Sequence, residues 1–455
     1  ITYYVDQLIL DYSTHRPRYI IPDYAKFMRE GSEFLQLDPP KDLFEALNSL
    51  LIFYKHVPSV TNFPVYVGAL DELLEPFIDD VDEETARKLL RLFMIHVDRT
   101  VLDSFSHANI GPRPTKAGRL LLEVEAELEH AVPNITMKYD PELSDDDFTL
   151  QAIKTSLRSA KPSFANHRMF SSELGEDYVI ASCYNGLKLG GGSYTLCRLI
   201  LANIAKRAEN LKDFQEKQLP YVMDIMARYM DARIKFEVEE SGFFQNNFLA
   251  KEGFITQDKF TAMFGMVGLA ECVNILMEKE GKEGRYGHSK EADDLGVAIM
   301  EQINAFNEQH VNPYCGVTGG HFLLHAQVGI SDDRDVSPGT RIPIGEEPEE
   351  LLDHLKHCSL FHKYFPSGTG DIFPIDTTVH KNPEFLLDII KGSFKDNLRY
   401  ISFYASDSDV IRITGYLVKR SEIEKLRSGV AVLQDTTELG LGATNNCRIE
   451  ERKVR

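Results

Sequence analysis

Apolar residues recur at helical spacing over 42–54, 82–103 and 116–130. Breaks at Pro39-Pro40, Pro58, Gly111-Pro112 and Pro133 separate these stretches. Ser144 and the three aspartates after it predict the start of another helix reaching Ala160, since acids suit the positive end of a helix dipole. The first part of the chain therefore reads as mainly helical. From about residue 178 the pattern changes. The short apolar run 178–182 predicts a buried strand, followed by a flexible glycine-rich loop and a helix over 194–210. Longer helices are predicted over 220–240, 256–280 and 289–309, and short strand-like runs recur at 322–328, 400–404 and 410–413. Strands separated by long helices predict a parallel α/β architecture. No fixed-period repeat, low-complexity tract or linker divides the 455 residues into independent domains.

Composition narrows the function classes. Hydrophobic residues make up 43% and charged residues 26%, as in ordinary soluble proteins. A formal net charge of −20 argues against wrapping nucleic acid or lying on an anionic membrane. No apolar run is long enough to cross a bilayer. The chain opens on Ile1 rather than methionine, and 1–10 already reads as structure, so the expectation is that a native N-terminal segment is missing. The six cysteines, at 183, 197, 272, 315, 358 and 447, form no Cys-x-x-Cys pair. They need no disulfide framework, fit a reducing cytoplasm and offer no local zinc knuckle, so no metal site is expected.

Two segments carry candidate chemistry. In Val410-Ile-Arg-Ile-Thr-Gly-Tyr-Leu-Val-Lys419 a strand-like run leads into Gly415. Periodicity alone says that a strand ends at a glycine needed for a positive φ or a close approach. In Ala181-Ser-Cys-Tyr-Asn-Gly186, Cys183 follows a short strand and precedes Gly190-Gly-Gly-Ser193. That glycine run lacks both the Gly-Lys-Ser and the Gly-x-Gly-x-x-Gly fingerprints, so backbone flexibility is favoured over phosphate binding.

Arg412-Ile413-Thr414-Gly415-Tyr416, close to the C-terminal end, resembles the radical-bearing motif of glycyl radical enzymes, and the Cys183 loop resembles their cysteine finger. The likeness runs from Asp11-Tyr12 onward. Through 178–201, His325-Ala-Gln327, Ser337-Pro-Gly-Thr-Arg341 and Ile449-Glu-Glu-Arg452 it is similar to the YjjI-type branch of this pyruvate formate-lyase-like superfamily. The resemblance implies a ten-stranded α/β barrel of two antiparallel five-stranded halves with both finger loops inside. It divides the chain into a mainly helical N-terminal part of the barrel domain (1–177), a barrel core with the cysteine loop (178–399) and a C-terminal glycine radical segment (400–455). It also implies a homodimer with no permanently bound cofactor. A separate S-adenosylmethionine-dependent enzyme bearing a [4Fe-4S] cluster would install the radical on Gly415, reaching it as the segment from about Ser406 swings out. Only glycine lacks the Cβ that would crowd a planar α-carbon radical, and a thiol can relay that radical to substrate.

Three departures bear on the reaction. Pyruvate formate-lyases carry two adjacent cysteines where this chain has Cys183-Tyr184, which weighs against a formate-lyase-like C–C cleaving acyltransferase. Dehydratase and decarboxylase branches carry Glu two residues after the cysteine; here Asn185 cannot serve as a carboxylate base. Cys447 stands apart from any zinc-binding cysteine cluster of the ribonucleotide reductase kind. The leading expectation is thiyl-initiated bond cleavage or elimination on a small polar metabolite in anaerobic cytoplasm. A catalytically silent scaffold is the rival from another class. His325, His107, Glu252 and Arg341 are candidates for substrate contact or proton transfer, Arg341 as partner of an anionic group, while Cys315 reads as structural before redox-active.

Overall fold

The computed structural model describes residues 15–59, 62–326 and 336–455. Within them the strands, in chain order, are β1 (Tyr19–Ile21), β2 (Tyr66–Ala69), β3 (His107–Ile110), β4 (Asn134–Tyr139), β5 (Ser163–Asn166), β6 (Tyr178–Ala181), β7 (Asn185–Lys188), β8 (Gly191–Ile200), β9 (Phe260–Val267), β10 (Leu323–Ala326), β11 (Asp371–Ile375), β12 (Tyr400–Ala405), β13 (Val410–Arg412) and β14 (Leu417–Lys419). The predicted helices over 42–54, 82–103, 116–130 and 144–160 fold as Leu43–Tyr54, Glu83–Thr100, Lys116–Leu128 and Asp146–Ser159. Each starts where a short polar side chain accepts from a first-turn N–H: Asp42 from Glu45, Asp82 from Thr85, Thr115 from Gly118 and Asp145 from Phe148. The last three each return the chain to a parallel strand, so β2, β3, β4 and β5 lie side by side in one direction.

The six-stranded sheet runs β11-β12-β5-β4-β3-β2, with β12 antiparallel to β5. The four-stranded sheet runs β1-β8-β9-β10, with β8, β9 and β10 parallel and β1 antiparallel to β8. The α/β class is as expected. The ladders group the strands as four and six, not as two five-stranded halves of one closed ring. Where β10 nears the segment before β11, Ser367 N–H donates to Leu324 O at 3.3 Å and Ala326 N–H to Gly368 O at 3.1 Å, without a ladder.

The N-terminal part is mainly helical, as expected, and also supplies β1 to β5. Two local readings are corrected. The helix expected over 194–210 is strand β8 followed by the short helix Leu201–Arg207, because β8 pairs along most of its length with β9. The helix expected over 256–280 splits into β9 and Leu269–Lys279, with Gly268 in a left-handed conformation between them. Buried strands flanked by apolar layers lose the alternation that distinguishes strand from helix. The predicted run 322–328 is observed as β10 as far as Ala326; Gln327 and Val328, like 1–14, lie outside the described residues.

The glycine run 190–192 is not a flexible loop. It enters the crowded crossing of β1, β8 and β9, where a β-carbon on Gly192 would lie 1.9 Å from the Tyr19 carbonyl oxygen and 2.8 Å from the Phe260 ring. Gly192→Ala is therefore expected to destabilise the fold by about 2–3 kcal/mol, the usual order for overpacking a tight site. Urea unfolding measures this, and an unchanged midpoint would mean that the crossing can open without cost.

Candidate active site

The cysteine segment is a rigid hairpin: β6 and β7 pair antiparallel, with Ala181 opposite Asn185, and carry Cys183 at their tip. The hairpin is buried, so its backbone groups need partners other than water. Side chains of β3 and β4 supply them. Lys138 Nζ donates to Tyr178 O at 2.9 Å. The Asn109 amide donates to Ile180 O at 2.8 Å and accepts from Ile180 N–H at 2.9 Å. His107 Nδ1 meets Ser182 O at 2.9 Å, and its Nε2 meets Thr136 Oγ1 at 2.6 Å. Thr136 Oγ1 lies 3.0 Å from the Tyr400 hydroxyl, which donates to Cys183 O at 3.1 Å. The carbonyls of Ser182 and Cys183 are thus held by His107 and Tyr400, whose polar ends meet at Thr136 Oγ1.

The glycine segment is a second hairpin, β13 paired with β14, its turn spanned by Ile413 N–H to Tyr416 O at 3.0 Å. Gly415 at the tip is buried and does not adopt a left-handed φ. Close approach is what demands glycine: a β-carbon there would lie 1.9 Å from Cys183 Cβ and 2.9 Å from its Sγ. The two predicted fingertips therefore touch. Asn134 secures this arrangement from β4, donating to Gly415 O at 3.1 Å and accepting from Arg412 Nη2 at 2.9 Å. Arg412 also donates to Ala160 O at 3.0 Å. Ser104 Oγ donates to Leu417 O at 2.8 Å, and Arg452 bonds the carbonyls of Arg412 and Ile413.

Burial sets the protonation states. It pushes the Cys183 thiol up to about 11, so Cys183 keeps its hydrogen and donates it to Asn185 Oδ1 at 3.0 Å. A nucleophilic cysteine needs the opposite shift. Burial drives His107 down to about 3 and His325 to about 4, leaving both rings neutral. His107 is thus a positioning group, donating from Nδ1 to Ser182 and accepting from Thr136.

A cavity of about 430 Å³ reaches this site, lined in part by Thr414, Arg341, Arg452, His354, Asp371 and Ile372. The buried Thr414 hydroxyl has no hydrogen-bond partner among the described residues. Arg341 donates from Nε to Gly370 O at 2.7 Å, lies over the Tyr184 ring at 5.9 Å, and pairs with no carboxylate among the described residues. His325 packs beside Tyr184, bonds Ser367 O through Nδ1 at 3.2 Å, and leaves a buried Nε2 without a described partner.

Gly415, Cys183, Asn185, His107, His325 and Arg341 are thus gathered around the fingertips. Glu252 is not. Its carboxylate accepts from Ser32 Oγ at 2.7 Å and Phe34 N–H at 2.6 Å, holding a partly exposed turn after the short helix Phe248–Lys251. Cys315 is buried beside Thr261, where burial raises its thiol to about 12. The Cys447 side chain lies outside the described residues. Sequence reasoning missed Asn134, Thr136, Lys138 and Tyr400. The polar–apolar alternation of 134–139 was the available signal for three of them.

Comparison with known proteins places this geometry in context. A family model described as Glycyl radical enzyme YjjI-like matches residues 2–455. A Haemophilus influenzae protein is 47% identical over 457 residues, covering 99% of this chain and 88% of its own length. The Escherichia coli protein YjjI is 42% identical over 447 residues, covering 98% and 86%. The crystal structure of hydroxyproline dehydratase from Clostridioides difficile, with trans-4-hydroxy-L-proline bound, superposes with a TM-score of 0.68 at 14% identity, covering 92% of this chain and 68% of that one.

The buried neutral His107 gives a pH test. Its folded pKa of about 3 lies below the ordinary 6.5, so on acidification the unfolded chain takes up the proton first. The stabilisation is complete above about pH 6.5 and declines toward pH 3, by up to about 1.4 kcal/mol per pH unit for this ring. His107→Gln should flatten the pH dependence of unfolding free energy by that amount below about pH 6. An unaltered slope would mean that the ring accepts its proton without unfolding.

Proposed function

The chain belongs to the YjjI-like glycyl radical enzyme family, and from that premise we propose that Gly415 stores an unpaired electron which Cys183 delivers to a small polar substrate. The observation that carries this reading is the contact between Gly415 and the Cys183 side chain in a buried site. A separate activating enzyme, using S-adenosylmethionine and a [4Fe-4S] cluster, removes one hydrogen atom from the Gly415 α-carbon. The spin then spreads into the flanking amides, and the Asn134 amide bonded to Gly415 O sits where delocalised density accumulates. The α-carbon radical takes the hydrogen from Cys183 S–H, which restores glycine and leaves a thiyl radical. The raised thiol pKa supports this step, since hydrogen-atom transfer needs S–H rather than thiolate.

The thiyl radical removes hydrogen from a substrate carbon. A neighbouring bond breaks, and the product radical recovers the hydrogen from Cys183, so the cycle consumes no net electrons. We favour elimination. Tyr184 occupies the place of the second sulfur in formate-lyase chemistry and donates its hydroxyl to Ala326 O at 2.7 Å. The fold likeness to a hydroxyproline dehydratase agrees with elimination. The Arg341 guanidinium, beside Tyr184 on the cavity wall and paired with no carboxylate among the described residues, selects a substrate with a carboxylate or similar anionic group. The Thr414 hydroxyl, on the same cavity wall and without a described partner, remains available for its polar atoms. The enzyme works as an oxygen-sensitive homodimer in anaerobic cytoplasm. In keeping with this, no helix among the described residues is long and apolar enough to cross a membrane.

Anaerobic treatment with a matched activating enzyme should give a doublet electron paramagnetic resonance signal, split by the remaining α-hydrogen, that is absent in Gly415→Ala. In D2O the doublet should collapse as Cys183 S–D exchanges deuterium into the α-carbon. Cys183→Ala should keep the doublet in D2O and lose turnover. No radical in the wild type favours the silent scaffold, and exchange persisting in Cys183→Ala moves the relay to another residue. Air should cut the activated chain at Gly415, releasing a fragment that ends at Arg455. Mass spectrometry of an intact chain after quantified radical formation counts against Gly415.

A further inference from the structure

The helix Leu351–His362 carries His354, Cys358 and His362 at four-residue spacing, so all three lie on one face. Asp371 opens β11 opposite that face. His354, Cys358 and Asp371 are each at least nine-tenths buried, and one ligating atom from each lies within 4.8 Å of the other two. His354 Nε2 is 3.6 Å from Asp371 Oδ1. That is too long for a hydrogen bond. It suits two donors sharing one ion, since ligands about 2.1 Å from a tetrahedral centre stand about 3.4 Å apart.

His362 completes the arrangement without being a ligand. Its Nδ1 accepts from Arg399 N–H at 3.0 Å, so in the neutral ring Nε2 carries the hydrogen. That N–H faces the other carboxylate oxygen, Asp371 Oδ2, at 3.4 Å and orients Asp371 toward His354 and Cys358. His354 and Asp371 also line the cavity that Thr414 and Arg341 line.

We propose that His354, Cys358 and Asp371 bind a divalent transition metal, best suited to zinc, with the fourth coordination position open to this cavity. One nitrogen, one thiolate sulfur and one carboxylate oxygen form a donor set that zinc accepts, and three protein ligands leave room for water or a substrate oxygen. Cys358 releases its proton to cavity water on binding. Thiolate and carboxylate then balance the charge of the ion, so the neighbouring Arg341 guanidinium meets no net positive charge. The site does not depend on the radical reading, and its test uses protein that has never been activated.

Full-length unactivated protein, stripped with chelator and kept reduced, is titrated with Co²⁺. We expect uptake of one ion per chain, with thiolate-to-cobalt charge-transfer absorption in the near ultraviolet that Zn²⁺ abolishes. Cys358→Ser should remove the band, whereas Cys272→Ser, at a buried cysteine away from the cluster, should keep it. His354→Gln and Asp371→Asn should weaken binding by about tenfold or more. X-ray absorption of zinc-loaded wild type should show one sulfur among nitrogen and oxygen ligands, which decides the matter even if Cys358→Ser does not fold. No stoichiometric uptake, a band that survives in Cys358→Ser, or a sulfur-free zinc shell overturns the proposal.

Discussion

The structure depends on one constraint: two hairpin tips must meet inside the protein, where no water completes their hydrogen bonds. A turn leaves carbonyls unpaired by geometry, and an unsatisfied buried group costs about 1–3 kcal/mol. The β3–β4 surface meets this cost. Its alternate positions, His107 and Asn109 on one strand, Asn134, Thr136 and Lys138 on the next, bond the backbones of the two hairpins or link to groups that do. The intervening Ala108, Ile135 and Met137 join the apolar core. A sheet face that an ordinary parallel α/β protein covers with apolar helices is here polar and dry, because two hairpins cover it and take its hydrogen bonds.

Asn134 shows how tightly the parts are coupled. It stands opposite His107 in the parallel register, so the residue that holds the glycine tip is the neighbour of the one that holds the cysteine tip. A slip of either strand by one residue would send that strand's side chain to the apolar face and separate the pair. The distance between α-carbon and sulfur is therefore set by sheet register, with the loops contributing only the final turn.

This explains what the sequence disclosed. The meeting of Gly415 and Cys183 was legible because two short contiguous segments resemble the motifs of a known family, and the pairing of Arg412 with Gly415 through Asn134 gives that spacing a physical cause. The long amphipathic helices were legible because each has one wet face and a short polar cap. The strands β3 and β4 were not, because polar residues at alternate positions ordinarily signal a solvated surface, and nothing local reveals that another hairpin covers it. β8 and β9 were read as helix because their surroundings are apolar on both sides. Glu252 misled for a different reason: a carboxylate near aromatic residues looks like a site residue until the fold pairs it with Ser32 and Phe34.

The two tips are not anchored alike, and the difference bears on how a second protein could reach one of them. The cysteine hairpin is stitched along its length to three neighbouring regions: to β3 and β4 through Asn109, His107 and Lys138, to β12 through Tyr400, and to the loop before β11 through Gly186 N–H and Ser367 O at 2.8 Å. Freeing it would dismantle the sheet face. The glycine hairpin is partly self-contained. Arg452, from the same C-terminal segment, caps the carbonyls of Arg412 and Ile413. Around its tip this hairpin is tied to the rest by Asn134, Ser104, the Ala160 carbonyl and the tilted Tyr416 and Phe105 rings at 4.9 Å, while Arg455 pairs with Pro374 O and Asp376 N–H at the end of β11. This asymmetry fits the proposed roles, with the stored radical on the glycine hairpin and the relay on a sulfur held by the sheet.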